Sequence, residues 1–231
     1  MFGTNKKQIM QKIIISEELA ARVPGLQLSC IRCDVVYEAV NTRLWAEIEA
    51  KIAKIAASVT IDQISGMPAI DASRRAYKAC GKDPARYRLS AEALLRRVVN
   101  RHELYQVCNV VDALNLVSIL SGFSIGGYDS EKIVGEVVFG IGISGEPYTG
   151  IGRGELNIEG MPVFRDAVSA FGTPTSDSER TSVTPATRSF LMVIIDFAGT
   201  AFLDEATVLA RSLLEKYAHA DRFEIEKVGC H

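Results

Sequence analysis

The chain has 231 residues, a formal net charge of −2 and 48% apolar residues. Those values suit one large domain with a sizeable core, and they argue against a protein that holds nucleic acid through bulk positive charge. The N-terminal MFGTNKKQIMQK is polar and the longest apolar run, Phe190 to Ile195, is far too short to span a bilayer. Neither a secretory segment nor a membrane span is therefore expected, and the expected location is the cytoplasm.

In chain order, a strand is expected near Lys12 to Ile15, then a turn at Pro24-Gly25 and a strand in LQLSCIRCDVV. Cys30 and Cys33 of that strand form a C-x-x-C, but residues three apart on a strand point to opposite faces and cannot chelate one ion. With five cysteines and no second pair at metal-site spacing, they read as buried structural thiols. Leu44, Ile48, Ile52, Ile55 and Val59 mark a long amphipathic helix that Asn41 or Thr42 caps. Pro68 opens another helix and Gly81 stops it. Ser90 is expected to cap a basic helix through Arg97. Val110, Leu114, Val117 and Leu120 then fall at helical spacing from Asn109 to Ser121, with Gly122 as the left-handed cap.

Composition changes at Gly122, where the sequence divides into a helix-rich part (1–121) and a strand-rich part (122–231) of one domain. Eleven of the 18 glycines lie between Gly122 and Gly160, among strand-like runs such as IVGEVVFGIGI. Gly126-Gly127-Tyr128-Asp129 reads as an elbow that turns the backbone sharply toward a ligand. Pro162 to Thr187 is loop-rich, and a polar loop as long as Pro174 to Thr187 in a compact domain is usually functional or disordered. Phe190 to Phe197 reads as a strand buried on both faces. A helix from about Leu203 to Tyr217 and a strand at Phe223 to Ile225 follow, with a frayed Cys230-His231 at the end. Helices early and strands late give an α+β class.

Several motifs fail on context. Gly140, Gly142 and Gly145 match G-x-G-x-x-G, but the continuation EPYTGIGRGEL cannot open the helix that a dinucleotide site needs. The three histidines, His102, His219 and His231, stand in no nucleophile–base or zinc pattern. No metal and no cofactor is expected. From Arg74 to Arg101 there are nine Lys or Arg against Asp83 and Glu92, a local excess of seven. That segment is either a surface for phosphates or a solvated helix face balanced elsewhere.

Three stretches carry a resemblance. N109-V-V-D-A-L-N115-L-V, Gly122 and S124-I-G-G-Y-D129 resemble a segment of the tRNA-editing domain of the phenylalanyl-tRNA synthetase β-subunit. Ser178-Glu179-Arg180-Thr181 through Thr187 resembles that family's S-x-x-x-V-x-x-x-T stretch. Pro84 through Arg97 resembles a signature of its free-standing members, so that the likeness covers roughly residues 66 to 196. It implies a layered β-sandwich of unusual topology with helices packed outside.

It also implies the 3′ end of tRNA as partner, a small amino-acid ligand, no DNA and no membrane. The chemistry implied is hydrolysis of a mischarged aminoacyl ester, which needs an oriented water and donors for the oxyanion. By the resemblance, the substrate-binding set is Asn109, Asn115, Gly126, Gly127, Asp129, Glu155, Ser178, Glu179, Arg180 and Thr181. Asp129, Glu155 or Glu179 would position the water, and Arg153 and Arg180 would meet a phosphate or carboxylate. The RNA-facing set is Arg86, Arg88, Arg96, Arg97 and Arg101.

Two departures weigh against tyrosine-specific editing: the family's His stands at Gly126 and its Glu falls at about Val193. A trans-acting aminoacyl-tRNA deacylase and a non-enzymatic amino-acid-binding protein without an RNA partner both remain open. The chain has no room for a synthetase core, so aminoacylation is not expected.

Overall fold

The computed structural model describes residues 11–230; the first ten residues of the polar N-terminal segment and His231 lie outside that range. The architecture is α+β. The central sheet has the order β10-β2-β9-β3 and is antiparallel throughout, with β2 (Gln27–Asp34), β3 (Ser124–Asp129), β9 (Ser189–Asp196) and β10 (Asp221–Gly229). A second sheet has the order β1-β4-β7-β8, from β1 (Ile13–Ile15), β4 (Val137–Ile141), β7 (Pro162–Arg165) and β8 (Ala170–Gly172). Only the β1–β4 pairing in it is parallel. A small hairpin joins β5 (Thr149–Gly150) to β6 (Gly154–Glu155).

The alternation of side chains explains the layering. Leu28 and Cys30 of β2, with Leu191, Val193 and Ile195 of β9, face a core shared with Phe139, Val163, Phe164 and Phe171 of the second sheet. Ile31 and Cys33, with Phe190, Met192 and Ile194, face the opposite core, which helices cover. β9 is thus buried on both faces, as its unbroken apolar run requires. The same alternation sends Cys30 and Cys33 into different cores. Burial pushes both thiols up to about 12, so they are inert.

The covering helices are α2 (Thr42–Ser58), α6 (Asn109–Ser121) and α7 (Phe202–Ala218); α4 (Pro68–Ala79) lies against the other core, and α5 (Ser90–Val99) packs through Leu95 and Val98 with Ile70 and Ile119 in a smaller cluster. The short α1 (Glu17–Arg22) and α3 (Ile61–Ile64) complete the set. Asn41 caps α2 by accepting from Leu44 N–H at 2.9 Å. Gly122 ends α6 at φ 77°, where a residue with Cβ would be strained. Ser90 does not cap: it is the first helical residue of α5, and its own N–H donates to the Pro174 carbonyl at 2.8 Å. That bond ties the start of α5 to the loop that follows β8.

The expected elbow at Gly126-Gly127 is instead regular strand, paired Gly126 to Val193 and Gly127 to Met192. Neither glycine has positive φ. What excludes a side chain is packing. A Cβ on Gly126 would lie 2.0 Å from the Tyr128 hydroxyl, and one on Gly127 would lie 2.5 Å from Leu114. At Gly142 a side chain is excluded similarly, its Cβ meeting the Ile158 carbonyl oxygen at 1.9 Å.

Candidate functional site

β3 is the edge strand of the central sheet, so its outward N–H groups need partners from elsewhere. The loop 173–178 supplies one. Asp177 accepts from Gly127 N–H at 3.2 Å through one carboxylate oxygen and from the Tyr128 hydroxyl at 3.0 Å through the other. The Tyr128 ring reaches this position by standing edge-on to Phe171, with centroids 4.9 Å apart. Its hydroxyl passes between Gly126 and Gly172, either of which would collide with it if it carried a Cβ.

Two further tyrosines hold the same loop. Tyr148 donates to the Ser176 carbonyl at 2.6 Å, and Tyr77 of α4 pairs with the Thr175 hydroxyl at 2.9 Å. Within the loop, Thr173 Oγ1 accepts from the N–H groups of Thr175 and Ser176. Burial pushes all three tyrosine hydroxyls up, so they stay neutral, and Tyr128 and Tyr148 act as donors. Burial also raises Asp177 to about 7, against the pull of the Gly127 and Tyr128 bonds, which favour the charged form. A carboxyl held near neutrality can change protonation under working conditions, which is what a general base requires.

The residues singled out from sequence separate into groups. Asn109 is fully buried and joins three segments: it accepts from Glu38 N–H and donates to the carbonyls of Val36 and Tyr217. Asp129 accepts from Thr187 Oγ1 at 2.8 Å and from Glu131 N–H at 3.2 Å. Arg180 donates to Asp166 at 2.8 Å and to the Lys132 and Ser169 carbonyls. All three thus brace the fold, although the buried Arg180 Nε has no partner among the described residues.

Glu155 and Glu179 are exposed, Glu155 out on the β5–β6 hairpin. Ser178 accepts from Arg180 N–H, while Thr181 is fully buried with a hydroxyl that has no partner among the described residues. Gly127 bonds to Asp177 directly, Gly126 flanks the Tyr128 hydroxyl that also does, and Ser178 follows Asp177 in the chain. Asn115 lies elsewhere, in a cavity beside α6.

The arginines are largely engaged within the protein. Glu92, buried in the first turn of α5, receives Arg74 at 2.8 Å, Arg96 at 2.9 Å and Arg88 at 3.9 Å. Arg97 donates to the Glu103 carbonyl and lies over the Tyr105 ring. Among the described residues, Arg86 and Arg101 are exposed and form no ion pair. Among those residues, no three His, Cys, Asp or Glu are placed to hold a metal, and no helix is long and apolar enough to cross a membrane.

The family model of the B3/4 domain matches residues 72–215, from α4 into α7, which takes in the whole Asp177 neighbourhood. The chain belongs to the B3/4 domain family. This is the phenylalanyl-tRNA synthetase β-subunit family domain, so the likeness read from the three motifs holds at family level. Among solved structures, an N-terminal fragment of the phenylalanyl-tRNA synthetase β-subunit from Pyrococcus horikoshii is similar at 13% identity and a TM-score of 0.47. The alignment covers 95% of this chain and 50% of that fragment, so this B3/4 protein spans about half the fragment's length. No curated protein matches the sequence.

Two residues of this B3/4 chain escaped the sequence reading. Asp177 adjoins the quoted Ser178 motif, but the two acids of SDSER carry no sign of which turns inward. Glu92 was counted only as an exception in a basic run, although its i,i+4 spacing to Arg88 and Arg96 was a visible signal.

Proposed function

We propose that this B3/4-family protein binds the 3′ end of a mischarged tRNA and hydrolyses the aminoacyl ester, with Asp177 orienting the attacking water. One observation carries the reading: the Asp177 carboxyl, which burial raises, is held by the Gly127 N–H and the Tyr128 hydroxyl at the glycine edge of β3, inside the matched domain. In the step, Asp177 takes a proton from the water as its oxygen bonds to the ester carbonyl carbon. The carbon–oxygen bond to the ribose then breaks, and the proton goes to the leaving hydroxyl. Thr181, with its unpartnered buried hydroxyl, supports the reading as a donor to ligand or water. Arg86 and Arg101 remain available for phosphates.

A second reading, a non-enzymatic amino-acid-binding protein, is favoured by the capture of Arg74, Arg88 and Arg96 on Glu92, which lowers the charge open to RNA. A panel of mischarged tRNAs, labelled on the amino acid, separates the two. Release from one species by the wild type, lost in Asp177→Asn with tRNA binding retained, is the expected result. Absence of release from every member at high protein concentration would overturn the hydrolase and leave the binding protein.

A further inference from the structure

Each of the two larger sheets ends in a strand with one unpaired edge, β1 in the second sheet and β10 in the central one. A cleft of about 940 Å3 lies between these strands, with Ala20 and Ala21 of α1 on its wall. That volume is at the upper end of the ~300–1,000 Å3 typical of clefts that hold a ligand. Residues 226–230 line one side, about 17 Å of extended chain at ~3.4 Å per residue. Among the described residues, no backbone group bonds to the outer edge of either strand. Strand edges of this kind are ordinarily blunted, paired or covered.

The charges of the cleft are unbalanced. Its two cations are engaged, Lys12 with Glu136 at 3.4 Å and Lys227 with Asp204. Its two acids, Glu17 and Glu226, form no ion pair among the described residues. Glu17 has a local reason to stand there, since it lies in the first turn of α1, where the free N–H groups favour an acid. Glu226 has none: its Oε2 is buried without a hydrogen-bond partner. Arg32, two residues along β2 from the Cys30 that pairs with Glu226, donates to the Gln11 carbonyl instead. A buried carboxylate oxygen is ordinarily met by a donor, so a cation is what the cleft lacks. Strand alternation sets Val228 on the same face of β10 as Glu226.

We propose that this cleft receives an extended segment of a partner protein, which adds to the outer edge of β10 as a fifth strand of the central sheet. Main-chain hydrogen bonds to β10 hold the segment, and alternate side chains select it. Opposite Glu226 it carries a lysine or arginine, and two residues away, opposite Val228, a β-branched apolar residue. The acids that keep β10 from pairing indiscriminately thereby make it selective for a basic strand. A second copy of this chain does not fit the same edge. Two β10 strands paired antiparallel about residue 224, 225 or 226 set a glutamate against a glutamate, because Glu224 and Glu226 lie two apart. The surface shares no residue with the Asp177 loop, so it stands whether or not the protein is a hydrolase.

The probe is the heptapeptide Thr-Val-Thr-Lys-Thr-Val-Thr, which reads the same from either end and so offers valine two residues from lysine in either strand direction. With a fluorophore on the peptide, its anisotropy should rise saturably as the whole protein is added. Replacing the lysine by glutamate should weaken binding at least about ten-fold, since a charge-assisted bond becomes a repulsion. N-methylation of alternate residues in two further peptides should abolish binding in at least one, because the amides of one alternate set face β10. Glu226→Lys should reverse the preference, binding the glutamate peptide better than the lysine one, with a native-like circular dichroism spectrum and melting temperature. Glu226→Gln, which keeps the shape and removes the charge, should narrow the difference between the two peptides. No saturable binding of the lysine peptide, equal binding of the lysine and glutamate peptides, full binding of both methylated peptides, or an unchanged preference in both Glu226 variants overturns the assignment.

Discussion

Asp177 shows how one residue acquires chemistry from its surroundings. Removal from water disfavours its charged form, while the Gly127 N–H and the Tyr128 hydroxyl favour it, and desolvation wins. The folded-state value, about 7, exceeds the ordinary carboxyl value near ~4. Between those two values the folded state binds more protons than the unfolded, so stability falls as pH rises through that window. Above about 7 the full cost of the buried charge is present, and below about 4 none is. Asp177→Asn should therefore raise the melting temperature at pH 8 and leave it nearly unchanged at pH 4. A general base must be ionised, so deacylation by the wild type should rise with pH and level off above about 7. A melting-temperature difference independent of pH would show that Asp177 is not titrating as placed. Local sequence could not reveal this residue, because its environment is assembled from β3, β8 and a loop some 50 positions away from Gly127.

At the scale of elements, legibility followed the range of the interactions that decide each feature. The bounds of α6, its Gly122 cap and the Asn41 cap of α2 depend on neighbours within a few residues, and they were readable. Gly126 and Gly127 misled because glycine serves two purposes, φ freedom and the absence of a Cβ. Only the fold distinguishes them. Here the absent Cβ matters, since the Tyr128 ring and Leu114 fill that space. Ser90 misled for a related reason: its N–H already has a partner in Pro174 across the fold. The packing explanation makes Gly126→Ala costly by about 1–3 kcal/mol, as over-packing in a core typically is. In a Tyr128→Leu background the same substitution should cost measurably less, because the clashing hydroxyl and ring carbon are gone. Equal costs by urea denaturation in both backgrounds would mean that the glycine answers to backbone geometry instead.

Across the whole molecule, the central sheet with a core on each face was foreseeable from the unbroken apolarity of β9. The charge distribution was not, because a count along the sequence cannot tell a solvated arginine from one committed to a partner. Glu92 takes three of the nine basic residues between Arg74 and Arg101 out of play. Arg75 pairs with Asp71, Lys82 with the Glu159 carbonyl and Arg97 with the Glu103 carbonyl. Lys78, Arg86 and Arg101 are left exposed without an ion pair among the described residues. If these three meet the phosphates of a single-stranded tRNA end, the slope of log K against log salt should be about −2, from roughly 0.7 per neutralised charge. Arg86→Glu with Arg101→Glu should flatten it further. A measured slope steeper than about −4 would mean that further cations neutralise phosphates, as they would if the Glu92 cluster opened and transferred its arginines to RNA. Glu92→Gln would then change the slope, whereas with the cluster closed it should alter stability and leave the salt dependence alone.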